Sequence, residues 1–164
     1  MKYIYLIRHA KAQKDPKTED LQRDLSSSGK EDLKTMCSRL KTLNFQAECI
    51  FSSPAKRCIK TAQKLCKTFD IKEKDIFIEQ SFYQHNITEI LNFISSLQKS
   101  RVVFIMHNPI LIQLCEYLAL IDIDNFPTSS IMCLKFDISS FKDIKEQSGE
   151  LVFFDYPKSK MINL

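Results

Sequence analysis

Apolar positions recur along this chain with two different periods, and the switches between them mark its elements. Short runs rich in β-branched and aromatic residues at 2–7, 49–52, 76–79 and 101–106 predict strands. The last contains Val102-Val103-Phe104-Ile105-Met106 without a polar break, the pattern of a strand covered on both faces. Two more strands are expected at 131–136 and 151–156, with Pro157 ending the series because it cannot donate to a ladder. Between the strands the period changes to that of a helix. Leu33, Met36, Cys37, Leu40 and Leu43 make one stripe over 28–43, and Cys58, Ile59, Ala62, Leu65, Cys66 and Phe69 make another over 54–69. The segment 88–97 is one-sided, and 109–120 is apolar almost all round. Strands alternating with helices predict an α/β fold, a three-layer α/β/α sandwich on a mostly parallel sheet. The stretch 11–27 is polar, charged and aperiodic, and reads as a functional loop over one end of that sheet.

At 164 residues the chain has the size of one domain, 1–164, with no internal boundary. Apolar residues at 44% and charged residues at 27% lie near globular averages, which argues against disorder. No apolar run approaches the roughly 20 residues that span a bilayer, and Arg8-His9 cuts the opening apolar run too short for a signal peptide. Six cysteines without a C-x-x-C pair read as free core thiols of a reducing, cytoplasmic compartment. Three histidines, none at i and i+4, argue against a metal site. The formal charge of +4 is modest and the lysines are scattered along the sequence, whereas a nucleic-acid binder concentrates them. Neither nucleic acid nor membrane is expected as a partner.

Ligands of a parallel α/β sheet bind beyond the carboxyl ends of its strands. Arg8-His9, Ser52-Ser53-Pro54-Ala55-Lys56-Arg57 and His107-Asn108-Pro109 each follow a predicted strand. Ser53 and Asn108 have the chemistry of N-caps, each followed by proline at the first helical position. Helix N-termini, two arginines and two histidines meeting at one end favour an anion, and phosphate matches the planar guanidinium fork. An imidazole among such cations stays neutral, with a lone pair able to attack phosphorus.

These residues carry a resemblance. Tyr5-Leu6-Ile7-Arg8-His9-Ala10 resembles the R-H-G/A signature of the histidine phosphatase superfamily, in its short SixA-like phosphohistidine phosphatase branch. Asp20-Leu21-Gln22-Arg23-Asp24-Leu25 with Gly29 is similar to that branch's D-x-x-R-x-L-x-x-x-G segment. Ser52 to Ala62 is similar to S-S-P-x-x-R-x-x-x-T-A, and Met106-His107-Asn108-Pro109 to G-H-N-P apart from the methionine. The resemblance implies a phosphoglycerate-mutase-like fold and a phosphatase, cofactor-free and metal-independent. It implies His9 as nucleophile, Arg8 and Arg57 as phosphate clamps, His107 as the second catalytic histidine, and Arg23 and Asn108 as further substrate contacts. Phosphate or sulfate should occupy the pocket, and a role in signal transduction is expected.

The chain departs from the pattern at one place. Many relatives carry a glutamate proton donor in a segment resembling L-Y-E-A, and here Phe82-Tyr83-Gln84-His85 stands instead. Gln84 delivers no proton, and general acid catalysis contributes typically about 10²–10⁴-fold. That loss is smallest for phosphohistidine, whose imidazole leaves readily, so a phosphorylated protein is the expected substrate. Small phosphorylated molecules, or a non-catalytic phosphate-binding adaptor, are the alternatives. His85, Asp15 and Asp20 are candidate substitute donors.

Overall fold

The computed structural model describes residues 1–160. Residues 161–164, the end of the span expected to be one domain, lie outside the described residues. Six strands, β1 (Lys2–Arg8), β2 (Cys49–Ser52), β3 (Ile76–Ile78), β4 (Arg101–Met106), β5 (Ile131–Phe136) and β6 (Glu150–Asp155), form one sheet in the order β3-β2-β4-β1-β5-β6. The pairs β2–β3, β2–β4 and β1–β4 are parallel, while β5 runs antiparallel to both its neighbours. The helices are α1 (Ser27–Thr42), α2 (Lys56–Phe69), α3 (Ser81–Gln84), α4 (Ile87–Ser96) and α5 (Ile110–Leu118).

The period of two along the central strands sorts their side chains into two cores. Ile4, Leu6, Val102, Phe104 and Met106 pack with Ile90 and Ile94 of α4 and with Leu111 and Leu114 of α5. Tyr5, Ile7, Val103 and Ile105 pack on the other face with Leu33, Met36 and Leu40 of α1 and with Cys58, Ala62 and Leu65 of α2. The unbroken apolar run of β4 follows from this, because both faces of the strand are covered. This is the α/β/α sandwich with a mostly parallel sheet that the pattern predicts.

The ends of several elements differ from expectation. Helix α2 begins at Lys56 with Ala55 as N-cap, and α5 begins at Ile110 with Pro109 as N-cap. Ser53 and Asn108 are therefore not caps. The Ser53 hydroxyl accepts from the Ala55 amide at 3.3 Å, ahead of the helix, and lies 2.7 Å from His107 Nε2, while Asn108 Nδ2 donates to the Phe126 carbonyl at 3.0 Å. The last strand starts one residue early, at Glu150, and leaves Tyr156 outside the ladder. The stretch 11–27 carries more structure than its composition suggests. Ala12 bridges Leu25 in antiparallel fashion, and Asp20–Gln22 form a 3₁₀ turn.

Helix α1 is capped by Ser26, whose hydroxyl accepts from the Gly29 amide at 3.0 Å. A Cβ at Gly29 would lie 2.1 Å from the Lys11 carbonyl oxygen, so the stretch 11–27 sits flush on the helix only because this residue has no side chain. Gly29→Ala is expected to cost about 1–3 kcal/mol and to lower activity by displacing the stretch. The urea unfolding midpoint and turnover measured together check this.

All six cysteines are free and buried. Burial pushes the Cys58 and Cys115 thiols up to about 12, and those of Cys49, Cys66 and Cys133 up to about 11. Among the described residues no helix is long and apolar enough to cross a membrane.

Candidate active site

Strands β2, β4 and β1 are neighbours in the sheet, so the residues that follow them emerge side by side at one end. There Arg8, His9, Arg57, His107 and Asn108 line a single cleft of about 730 Å³. The polar stretch 11–27 forms one wall, through Lys11, Lys14, Asp20 and Arg23, and Tyr83 and His85 lie at the α3 side.

His9 is 8% exposed, and its Nδ1 is 2.8 Å from the Ala10 carbonyl oxygen. Since a carbonyl only accepts, Nδ1 carries the hydrogen and Nε2 keeps a bare lone pair. Thr61 of α2 fixes this arrangement. Its hydroxyl accepts from the Ala10 amide at 3.0 Å and donates to the Arg57 carbonyl at 2.7 Å. Burial lowers the His9 pKa to about 4; the Ala10 carbonyl opposes the shift, and the charges of Arg57, Arg8 and Arg23 add to it. His107 stands beside it, ring centroids 5.0 Å apart. Arg57 Nη2 donates to His107 Nδ1 at 3.3 Å, so Nε2 holds the hydrogen and donates to Ser53. Burial, followed by the His9 and Arg57 charges, pushes His107 down to about 3. Both imidazoles are neutral at pH 7.

The two signature guanidinium groups are anchored differently. Arg8 Nη1 donates to the Phe126 carbonyl at 3.0 Å. Arg57, 5% exposed, donates from Nη1 to the Asp20 carbonyl at 2.8 Å and from Nη2 to Asp20 Oδ2 at 3.0 Å. The Nε atoms of Arg8 and Arg57 are buried without a protein partner among the described residues. A buried donor left unpaired costs about 1–3 kcal/mol, which an anion accepting from both would relieve.

Asp20 gathers the positive wall. Besides Arg57, its carboxylate accepts from Arg23 at 3.0 Å and from the Tyr83 hydroxyl at 2.8 Å. Partial burial pulls its pKa upward, but hydrogen bonds from Tyr83, Arg57 and Arg23 outweigh this and hold it well below the carboxylate range. Asp20 is thus an ionised anchor in the resting site, not a carboxylic acid with a proton to give. Asp15 does not reach the cleft. Its carboxylate closes a surface turn, accepting from the Lys17 amide and the Thr18 hydroxyl. Of the three candidate donors, Asp20 and His85 line the cleft, while Gln84, the neighbour of His85, is outside the lining.

Sequence reasoning missed Tyr83 as the partner of Asp20 and Ser53 as the partner of His107. Neither had a signal in the sequence, because 63 and 54 residues separate the members of the two pairs.

A sequence model of the histidine phosphatase superfamily (branch 1) matches residues 4–87. The chain belongs to the histidine phosphatase superfamily. A search of curated proteins found no sequence match. Among solved structures, this histidine phosphatase is similar to the protein histidine phosphatase SixA complexed with tungstate, with TM-score 0.81 and 19% identity, covering 94% of this chain and 97% of that one. It is also similar to a protein described as a phosphohistidine phosphatase SixA from Agrobacterium tumefaciens, at TM-score 0.78 and 25% identity, covering 95% and 98%. A mycobacterial glucosyl-3-phosphoglycerate phosphatase is more distant, at TM-score 0.64 and 14% identity, covering 92% and 97%. That phosphatase has also been solved with inorganic phosphate.

Protonation of His9 would remove its lone pair, and the ring resonances of His9 followed by NMR are expected to titrate near pH 4; a midpoint at pH 6.5 would contradict the neutral, buried imidazole. Stability has a matching sign. Both histidines titrate lower in the folded chain than in the unfolded one, so stability falls as pH drops below about 6.5, by at most about 1.4 kcal/mol per pH unit per group.

Proposed function

We propose that His9 attacks phosphorus through Nε2 without a metal ion, and that the physiological substrate is phosphohistidine on a protein. The observation that carries this reading is the tautomer of His9: Nδ1–H is held by the Ala10 carbonyl, which leaves Nε2 unprotonated beside Arg8 and Arg57. As the Nε2–P bond forms, the bond from phosphorus to the leaving nitrogen breaks. A leaving imidazole protonated at its second nitrogen departs neutral, so no acid is demanded of the protein. Water then attacks the phosphorus on His9, phosphate leaves, and the lone pair is restored. Arg8 and Arg57 stabilise the charge spread over the transferring phosphoryl oxygens, with Arg23 and Asn108 as outer contacts. His107, neutral and fixed by Ser53 and Arg57, orients the same group. Six buried free thiols suit a reducing cytoplasm, and removal of phosphohistidine suits signal transduction.

A second reading, hydrolysis of small phosphate esters, is favoured by one observation. His85 lines the cleft, and a histidine is the side chain type that most often serves as a general acid for an alkoxide leaving group. One experiment separates the two. Rates on a phosphohistidine peptide, a phosphoserine peptide and small sugar phosphates are compared at equal concentration with chelator present. The first reading expects the phosphohistidine peptide to lead clearly and His85→Gln to leave that rate unchanged. Sugar phosphates in the lead, with a loss of about 10²-fold in His85→Gln, would establish the second. No hydrolysis even of para-nitrophenyl phosphate would reduce the protein to a phosphate-binding adaptor.

A further inference from the structure

Lysines that look scattered in the sequence converge in the fold. Lys30 and Lys34 on α1 face Lys60, Lys64 and Lys67 on α2 across a groove of about 560 Å³. Spacings of four, four and three residues put each set on one side of its helix. Leu25 and Leu33, both buried, also line the groove, and its acidic residues are Asp24 and Glu31. Asp24 is already paired with Lys56 at 3.2 Å. Among the described residues none of the five lysines has a carboxylate within salt-bridge distance. The folded chain therefore holds together five cations that repel one another, an arrangement the stability of the monomer does not require.

The groove shares a wall with the catalytic cleft. Ala12 and Leu25 bridge each other within the stretch 11–27; Ala12 lines the cleft and Leu25 lines the groove. We infer that this groove docks an acidic segment of the protein that carries the phosphoryl group, in line with the cleft where that group is removed. The inference rests on the proposed protein substrate and adds how it is selected. A peptide is favoured over nucleic acid by the lining, which holds apolar Leu25 and Leu33 for side chains and no aromatic ring on which bases would stack. On this inference the groove distinguishes substrates by what surrounds the phosphorylated residue.

The test separates docking from chemistry by using fluorescein-labelled peptides without phosphate. Each carries a central histidine, flanked by aspartate and glutamate in one and by serine and glutamine in the other. Fluorescence anisotropy with the wild-type chain is expected to show the acidic peptide binding about tenfold more tightly at low salt, with the margin closing as ionic strength rises. Lys60→Glu/Lys64→Glu should abolish the margin while para-nitrophenyl phosphate turnover stays at the wild-type rate. The milder Lys60→Gln/Lys64→Gln keeps the test readable if charge reversal harms folding, and should remove most of the margin. Equal binding of the two peptides, or a margin unchanged in the variants, overturns the inference. So does a single-stranded oligonucleotide of the same charge binding as tightly as the acidic peptide. Failure of the protein-phosphohistidine reading shows elsewhere, in the hydrolysis comparison, since no peptide here is turned over.

Discussion

His9→Ala should reduce hydrolysis of para-nitrophenyl phosphate by at least about 10⁴-fold, to a level that no added imidazole-free buffer or metal ion restores. The size follows from the role. On the proposed role, losing Nε2 removes the atom to which phosphorus is transferred and leaves guanidinium groups that only bind the phosphate. The same variant should still bind vanadate or phosphate, because Arg8 and Arg57 are anchored by Phe126 and Asp20, not by His9. A phosphorylated enzyme trapped by acid quench from the wild type should be absent from the variant. Retention of more than about a hundredth of the activity would move the nucleophile to another residue.

Arg57→Ala is the second large effect, expected at about 10²–10³-fold in kcat on the scale of losing one transition-state oxyanion contact. Three consequences coincide at this side chain. On the proposed role the transferring phosphoryl loses a nearby cation, while His107 loses the donor at Nδ1 that fixes its tautomer and Asp20 loses a partner. The cost in stability should be small by comparison, because the Asp20 side chain is 49% exposed and keeps Arg23 and Tyr83. Arg57→Lys should recover little, since an ammonium supplies charge but not the fork that spans the Asp20 carbonyl, the Asp20 carboxylate and His107. Steady-state kinetics beside a thermal melt distinguishes these terms: kcat falls steeply while the melting midpoint barely moves.

What the sequence made legible divides along the range of the interactions involved. The central strands could be read to within a residue, because burial on both faces leaves an apolar run that nothing else produces in so few residues, as at Val102 to Met106. Arg8, His9, Arg57 and His107 could be placed at one end of the sheet because Arg8, His9 and His107 stand at strand ends and Arg57 lies in the first turn of the helix that follows β2. The helix starts at Lys56 and Ile110 were misplaced because Ser53 and Asn108 have the right chemistry for a cap but are bound to partners far along the chain. Asp20 is the clearest case of partial legibility. The sequence marks it as a candidate proton donor, and only the folded chain brings Arg57 and Tyr83 to it. The lysine groove was hidden for the same reason, since it depends on α1 and α2 lying side by side.

The sealed thiols give this molecule an unusual chemical inertness. With every cysteine in the core and the thiolate form suppressed by burial, thiol-directed alkylating reagents and peroxides find no accessible cysteine while the chain is folded. Reaction must wait for the interior to open, so the rate at which a maleimide consumes the six sulfurs becomes a clock for unfolding. Oxidants that silence cysteine-dependent phosphatases would pass this one by.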